Sequence, residues 1–367
     1  MIQDIQSLNV LYHNRLVGRL SMGDKNCCVF EYDNQWIADG FSISPLHLPL
    51  KTGLFHAEFF PFGGNFGIFE DSLPGGYGEF LLHKALRKSN INYQRLTPVQ
   101  RLSIVGNAGM GALCYVPNTK IIDAETQGSL DEMQQKALAV LSEQTDEFVN
   151  QLYFNSGNSG GVRPKCLYRD DEGDWLVKFR HTYDPLNIGE IEYQYNDTAR
   201  RCGFEVPDFK MMQGKYFAVK RYDIEKGQRL HVATASALLN EPISPPKMDY
   251  HNLLQLTGYL TQSPEAVEQQ FRRMVFNIFA ENFDDHARNF SFICREGTWS
   301  LAPAYDLTYD RTLGEHATSV NYNGLPTEED MITVGMNIRI SRQRCREIID
   351  EIKEPAQHLA REIAEKF

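Results

Sequence analysis

The segment Asn282-Phe283-Asp284-Asp285-His286-Ala287-Arg288-Asn289, with the stretch after it, constrains this chain more than any other feature. An aspartate and an asparagine stand five residues apart, at Asp284 and Asn289. A hairpin is expected next, with strands at Phe290–Cys294 and Thr298–Leu301 around Glu296-Gly297. It folds the chain back and delivers Ala304-Tyr305-Asp306 beside Asn289. Asp284 would then orient an attacking hydroxyl, while Asn289 and Asp306 supply oxygen ligands for Mg²⁺. Taken singly, Asp284, Asp285 and Asn289 read equally well as residues capping a helix end. A metal-dependent hydrolase using Asp284, Asp285 and His286 is a rival chemistry. His286 also reads as a structural histidine that holds the loop.

Phosphoryl transfer rests on positioning and charge neutralisation, so it needs more than an acidic loop. A flexible phosphate-binding segment and a strand lysine should lie upstream. Asn155–Lys165 (NSGNSGGVRPK) is such a segment: Gly157, Gly160 and Gly161 permit close backbone approach to an anion, although a glycine-serine loop alone often serves only as a linker. It precedes a strand at Cys166–Tyr168, a turn at Asp170–Gly173 and a second strand at Trp175–Phe179. That second strand carries Lys178 among apolar residues. Lys178 is placed to reach the α- and β-phosphates of ATP; the plainer reading is an edge-strand lysine facing solvent. Glu192, in a helical stretch at about 189–202, is a candidate partner for it. Two other glycine-rich stretches read as turns. Gly106–Gly111 precedes a strand, not a helix, so it is no dinucleotide fingerprint, and Ser72–Gly78 leads tightly into a helix at about 78–88.

The remaining pattern divides the chain. Short strands are expected at Leu8–Tyr12, Leu16–Ser21, Cys28–Tyr32 and Ala112–Val116. Ser129-Leu130-Asp131-Glu132 has the form of a capping box and should open a helix running to about Phe148. Strands at Phe209–Met212 and Tyr216–Tyr222 follow, and the chain is mainly helical after Asp249. The fold class expected is α+β, with a small N-terminal subdomain (1–118), a strand-rich lobe (119–222) and a mostly helical lobe (223–367). The 367 residues suffice for two or three domains. A net charge of −11 argues against a dominant nucleic-acid or anionic-membrane surface. Seven cysteines without a C-x-x-C pair fit a reduced, cytoplasmic setting. Neither a signal peptide nor an 18-residue apolar run is visible.

In combination these residues resemble the HipA-type serine/threonine kinases, toxin components of bacterial type II toxin–antitoxin systems. The resemblance rests on Leu73-Pro74-Gly75-Gly76-Tyr77-Gly78 and Arg101–Pro117 in the first part of the chain. Further on it rests on Gly160-Gly161-Val162-Arg163-Pro164-Lys165, Val219-Lys220-Arg221-Tyr222-Asp223, Asp284–Phe290 and Ala302–Asp306. It implies a small N-terminal subdomain attached to a bilobal, protein-kinase-like domain. ATP and Mg²⁺ are the implied cofactors, with Asp284 catalytic and Asn289 and Asp306 on the metal. The nucleotide would be held by residues 160–165, by Lys178 and by a hinge at Lys220, Arg221 and Tyr222, with His286 nearby. Autophosphorylation in the glycine-rich loop is also implied, with Ser159 and Ser156 as candidates. The implied partners are a protein substrate, such as an aminoacyl-tRNA synthetase, and a helix-turn-helix, HipB-like antitoxin. DNA would be contacted only through that antitoxin, and no membrane is involved. A kinase-like binding module without transfer activity is the alternative within the same fold.

Overall fold

The computed structural model describes residues 4–119, 128–156 and 160–365. The chain forms two compact units, each built from several stretches of sequence. One comprises Met1–Leu186, Asp223–Ala233 and Arg295–Gly297; the other comprises Asn187–Tyr222, Thr234–Cys294 and Thr298–Phe367.

The first unit begins with an antiparallel sheet in the order β4-β3-β2-β1-β5. Its strands are β1 (Ser7–Tyr12), β2 (Arg15–Met22), β3 (Cys28–Tyr32), β4 (Leu54–His56) and β5 (Leu113–Val116). His13 and Asn14, both at positive φ (46° and 66°), make the two-residue turn between β1 and β2, whose backbone twist suits a hairpin. Leu8 and Val10 of β1, Leu20 of β2, and Phe30 and Tyr32 of β3 are almost wholly buried in alternating register, so one face of the sheet forms a core. Helices α1 (Asn34–Asp39) and α2 (Gly67–Glu70) contribute Trp36 and Phe69 to the buried set. Beyond them lie α3 (Tyr77–Lys88), α4 (Pro98–Val105), α5 (Leu130–Leu141) and α6 (Val149–Ser156). Leu81, Leu82 and Leu86 of α3 share one buried cluster with Ala137 and Val140 of α5 and Leu152 of α6. The hairpin of β6 (Lys165–Asp170) and β7 (Gly173–Lys178) follows, with Lys165 directly opposite Lys178.

Two local expectations need revision. The helix opening at Ser129 does have its capping box, but it ends at Leu141 and not near Phe148. Glu143 then adopts φ 56°, which no helix tolerates, and the chain restarts as α6. Arg101–Gly111 reads in the sequence only as a lead-in to the strand at Ala112–Val116, but its first residues belong to a helix, α4 (Pro98–Val105). A Thr97/Gln100 capping box and Pro98 in the first turn specify its start.

The returning stretch 223–233 is sewn onto this unit. Asp223 Oδ2 accepts from the Gly111 backbone N–H at 3.2 Å. Arg229 donates to the carbonyls of Asn107 and Gly109 at 2.9 and 2.8 Å. His231 donates through Nε2 to the Ile43 carbonyl at 2.8 Å.

The second unit contains α7 (Ile188–Arg201), the hairpin of β8 (Phe209–Met212) and β9 (Tyr216–Lys220), then α8 (Ala235–Leu239), α9 (Tyr250–Thr261) and α10 (Pro264–Phe279). Strands Ser291–Arg295 and Thr298–Leu301 come next, then α11 (Glu328–Asn337) and α12 (Arg342–Ala364). Helix α10 is the axis of this unit: Phe271, Met274, Val275 and Phe276 are fully buried. It is fastened to α12 by Arg344, whose fork donates to both carboxylate oxygens of Glu268 at 3.1 and 2.6 Å. Among the described residues no helix is long and apolar enough to cross a membrane.

Burial holds the His231 imidazole down to about 4, against an ordinary value of 6.5. The unfolded chain therefore takes up a proton below pH 6.5 that the folded chain refuses until about pH 4. The stability due to neutral His231 is complete above pH 6.5 and is lost as pH falls, by at most about 1.4 kcal/mol per pH unit. Thermal unfolding between pH 7 and pH 4.5 should show a steeper fall in midpoint for the wild type than for His231→Gln, which keeps a donor for Ile43. Equal slopes would refute this account.

Candidate functional site

The first unit gathers the residues assigned to phosphate. Helix α6 ends at Ser156, which is fully buried and donates its hydroxyl to the Tyr153 carbonyl at 3.1 Å. Gly157 and Ser159 lie outside the described residues. From Gly160 the backbone is held at several points. The Lys165 ammonium donates to the Gly160 carbonyl. Arg163 Nε reaches both oxygens of Asp184, at 3.2 and 3.0 Å, and the Pro164 carbonyl accepts from Phe179 N–H at 2.8 Å. Val162 is exposed. Lys178 is 9% exposed and Lys165 5%, so Lys178 is not a solvated edge lysine. This pair, with Gly160–Gly161, fits a polyphosphate.

The second unit gathers the acidic residues. Helix α10 runs out at Phe279, and the loop 280–290 is fixed both through its backbone and through the Asp285 side chain. Phe283 N–H donates to the Asp310 carbonyl at 2.8 Å, and Asn289 N–H to the His286 carbonyl at 2.8 Å. Asn289 also donates its side-chain amide to the Asp284 carbonyl at 2.7 Å. That bond fixes the amide orientation, leaving Oδ1 as the group able to face a cation.

The neighbouring aspartates have opposite fates. The Asp284 side chain is 44% exposed, with His286 Nε2 at 3.7 Å from its Oδ1. The Asp285 side chain is 0% exposed. Its Oδ1 accepts from Thr318 N–H at 3.1 Å; its Oδ2 accepts from the Tyr250 hydroxyl at 2.8 Å and from His316 Nδ1 at 3.1 Å. The Thr318 hydroxyl donates back to the Asp285 carbonyl. Burial and the charge of Asp285 push the Tyr250 phenol well up, keeping it a donor. Asn277 in turn donates to that phenol oxygen at 2.9 Å.

His286 is largely buried and its imidazole is held down by that burial, against the pull of the Asp306 carboxylate. Asp306 itself sits at φ 56°, a left-handed conformation that aspartate tolerates better than most residues and that cannot extend as strand or helix. Tyr305 before it donates to the Arg288 carbonyl at 2.6 Å, and Tyr222 stacks on Tyr305 with ring centres 5.5 Å apart. Lys220 ends β9 with its ammonium 3.8 Å from Asp208, and Arg221 and Tyr222 continue beyond the strand. Glu192 is 1% exposed on α7.

Asn289 and Asp306, the residues expected to hold a cation, would offer oxygen atoms only, and only two ligands. That donor set fits Mg²⁺, which keeps waters and takes substrate phosphates to complete an octahedron. It does not fit a self-sufficient protein cage, and among the described residues no cluster of three or more His, Cys, Asp or Glu side chains could hold a metal. With both oxygens of Asp285 already occupied, the set Asp284, Asp285, His286 cannot act as a three-ligand hydrolase centre. The partners of Asp285 escaped sequence reasoning because Tyr250, His316 and Thr318 stand 31 to 35 residues away and belong to no recognisable motif.

Replacing Asp285 by Ala strands three buried donors. Urea unfolding should show a loss of about 2–5 kcal/mol, whereas Asp284→Ala should change stability by less than about 1 kcal/mol. Equal effects would contradict the division of roles between the two carboxylates.

A comparison with curated proteins gives no match. Among solved structures, HipA of Shewanella oneidensis MR-1, determined as a toxin–antitoxin complex with HipB and its operator DNA, shares the fold with a TM-score of 0.72. The alignment covers 98% of this chain and 91% of that one at 17% identity. The Helicobacter pylori proinflammatory kinase CtkA aligns over 57% of this chain and 90% of its own, at 16% identity and a TM-score of 0.39. Residues 8–116 match the profile of the HipA N-terminal domain. Since residues 157–359, more than half of the chain, match the HipA-like C-terminal domain, this protein belongs to the HipA family.

Proposed function

We propose that this chain is an ATP- and Mg²⁺-dependent serine/threonine protein kinase. The observation that carries the reading is the contrast inside one loop: Asp285 is buried and saturated, while Asp284 is exposed on a loop that Asn289 holds by its amide. A loop that spends one carboxylate on rigidity and presents the other is built for positioned proton transfer.

In this reading Asp284 takes the proton of the acceptor hydroxyl. The hydroxyl oxygen bonds the γ-phosphorus, the bond from that phosphorus to the β–γ bridging oxygen breaks, and ADP leaves. Asn289 Oδ1 and the Asp306 carboxylate would hold the cation, which when bound would neutralise charge on the phosphate oxygens. Gly160–Lys165 and Lys178 hold the phosphates. Backbone at Lys220–Tyr222 borders adenine, where the Tyr222–Tyr305 stack supplies a flat apolar wall. His286, largely buried and held neutral, supports the loop and does not act as the base.

Membership of the HipA family supports a helix-turn-helix, HipB-like antitoxin as partner, through which this chain would meet DNA; the Shewanella oneidensis structure holds HipA, HipB and operator DNA together. A protein substrate such as an aminoacyl-tRNA synthetase and a cytoplasmic setting accord with the same membership and with seven free cysteines. For autophosphorylation Ser159 is the better candidate, since the Ser156 hydroxyl is buried and engaged.

Asp284→Asn should lower phosphate transfer by about 10²–10⁴-fold and leave Mg²⁺-dependent ATP affinity within threefold of wild type. Transfer of ³²P from γ-labelled ATP, followed with and without Mg²⁺, measures both. Phosphoproteomics on cells expressing wild type or Asp284→Asn names the substrate. Undiminished transfer by the variant would remove Asp284 from the chemistry; ATP binding without transfer in the wild type would favour a kinase-like binding module.

A further inference from the structure

We propose that the turn Gly75-Gly76-Tyr77, at the head of α3, is the seat of the phosphate-binding loop, and that Gly76 and Tyr77 are positioning residues for ATP. The proposal rests on the reading of Gly160–Lys165 as that loop. It gives a task to the Leu73–Gly78 motif, which otherwise serves only to start a helix.

Helix α3 has no side-chain cap. The first N–H groups of any helix lack partners within it and must find them elsewhere. Here the Tyr77 N–H donates to the Gly161 carbonyl at 2.9 Å, across 84 residues of sequence. A loop peptide caps the helix, and by the same bond the helix fixes the loop peptide.

Peptide planarity gives that bond a direction. In a trans peptide the C=O and the following N–H point to opposite sides. Turning the Gly161 carbonyl toward α3 therefore turns the Val162 N–H away from it. The Gly160 carbonyl is likewise occupied, by the Lys165 ammonium. With both carbonyls drawn off, the loop offers N–H groups to an incoming anion, which is what a phosphate cradle requires.

The packing leaves no alternative to glycine. Gly76 has φ 52° and ψ −116°, a conformation that L side chains rarely adopt. A Cβ there would lie 2.3 Å from the Gly161 carbonyl oxygen, 2.5 Å from its carbon and 3.0 Å from Val162 N. All three are backbone atoms that cannot swing aside. Behind this contact the mount is rigid. The buried Tyr77 ring lies near the Cys166 thiol of β6, at the end of the loop, and α3 shares its core with α6, at the start of the loop.

The test compares affinities for ATP and for adenosine, which carries no phosphate. Tyr77→Ala removes the ring but keeps the N–H. Tyr77→Pro removes both, at a first-turn position where proline is welcome. Gly76→Ala inserts the clashing methyl. Relative to Tyr77→Ala, Tyr77→Pro should weaken ATP by about three- to tenfold, the size of one lost hydrogen bond. Gly76→Ala should weaken it by at least tenfold against wild type. Adenosine affinity, and kcat at saturating ATP, should stay within threefold in each case. Unchanged ATP affinity in Gly76→Ala and Tyr77→Pro would overturn the proposal. So would an equal loss of ATP and adenosine, which would mark the turn as a general support of the fold. A wild type that binds ATP no better than adenosine would instead refute the phosphate-loop reading on which the proposal stands.

Discussion

A buried carboxylate organises the second unit. Asp285 carries its charge into a site with no solvent contact, and such a charge is tolerated only when donors surround it. Tyr250 from the start of α9 supplies one, and His316 and the Thr318 backbone supply two more from the stretch before α11. Asn277 of α10 backs the Tyr250 phenol. Two helices and a distant loop are thus drawn to one residue of the 280–290 segment. Its neighbours inherit their orientations from that knot: Asp284 faces solvent, and His286 is folded back toward Asp306.

Backbone strain adds to this ordering. Asp306 sits in the left-handed region directly after Tyr305, whose hydroxyl is bonded to the Arg288 carbonyl. An immobile residue followed by a sharply turned one aims a carboxylate without help from side-chain rotamers. In the first unit, a glycine does similar work by a different route. Gly76 lets two backbones meet at a distance that a Cβ in its place would not permit.

Much of this was legible in the sequence, and the rest was hidden for definable reasons. Strands β1 to β3, helix α3 and the 291–301 hairpin follow directly from alternation, helical periodicity and an Asp/Glu-Gly turn. The bond from the Asn289 amide to the Asp284 carbonyl comes from local spacing, which a short loop enforces. Helix α4 has plain start signals in Thr97, Pro98 and Gln100, but it is only eight residues long and the glycines at 106–111 make the stretch resemble a turn leading to a strand. The break after α5 depends on one glutamate at positive φ, a conformation that glutamate composition does not announce. Least readable were contacts of long sequence separation. The partners of Asp285 are an ordinary tyrosine, histidine and threonine, and the bond between Tyr77 and Gly161 joins main-chain atoms that every residue possesses.

That last bond has a consequence for how the protein can be divided. Ancestry splits the chain into an N-terminal profile at 8–116 and a C-terminal one at 157–359, but the first packed body contains the whole of the former and the opening of the latter. A fragment cut at the ancestral seam would inherit a glycine loop stripped of its support and a β6–β7 hairpin without the helices that cover it. What looks like an accessory domain in a family alignment is, in the folded chain, part of the floor on which the loop rests.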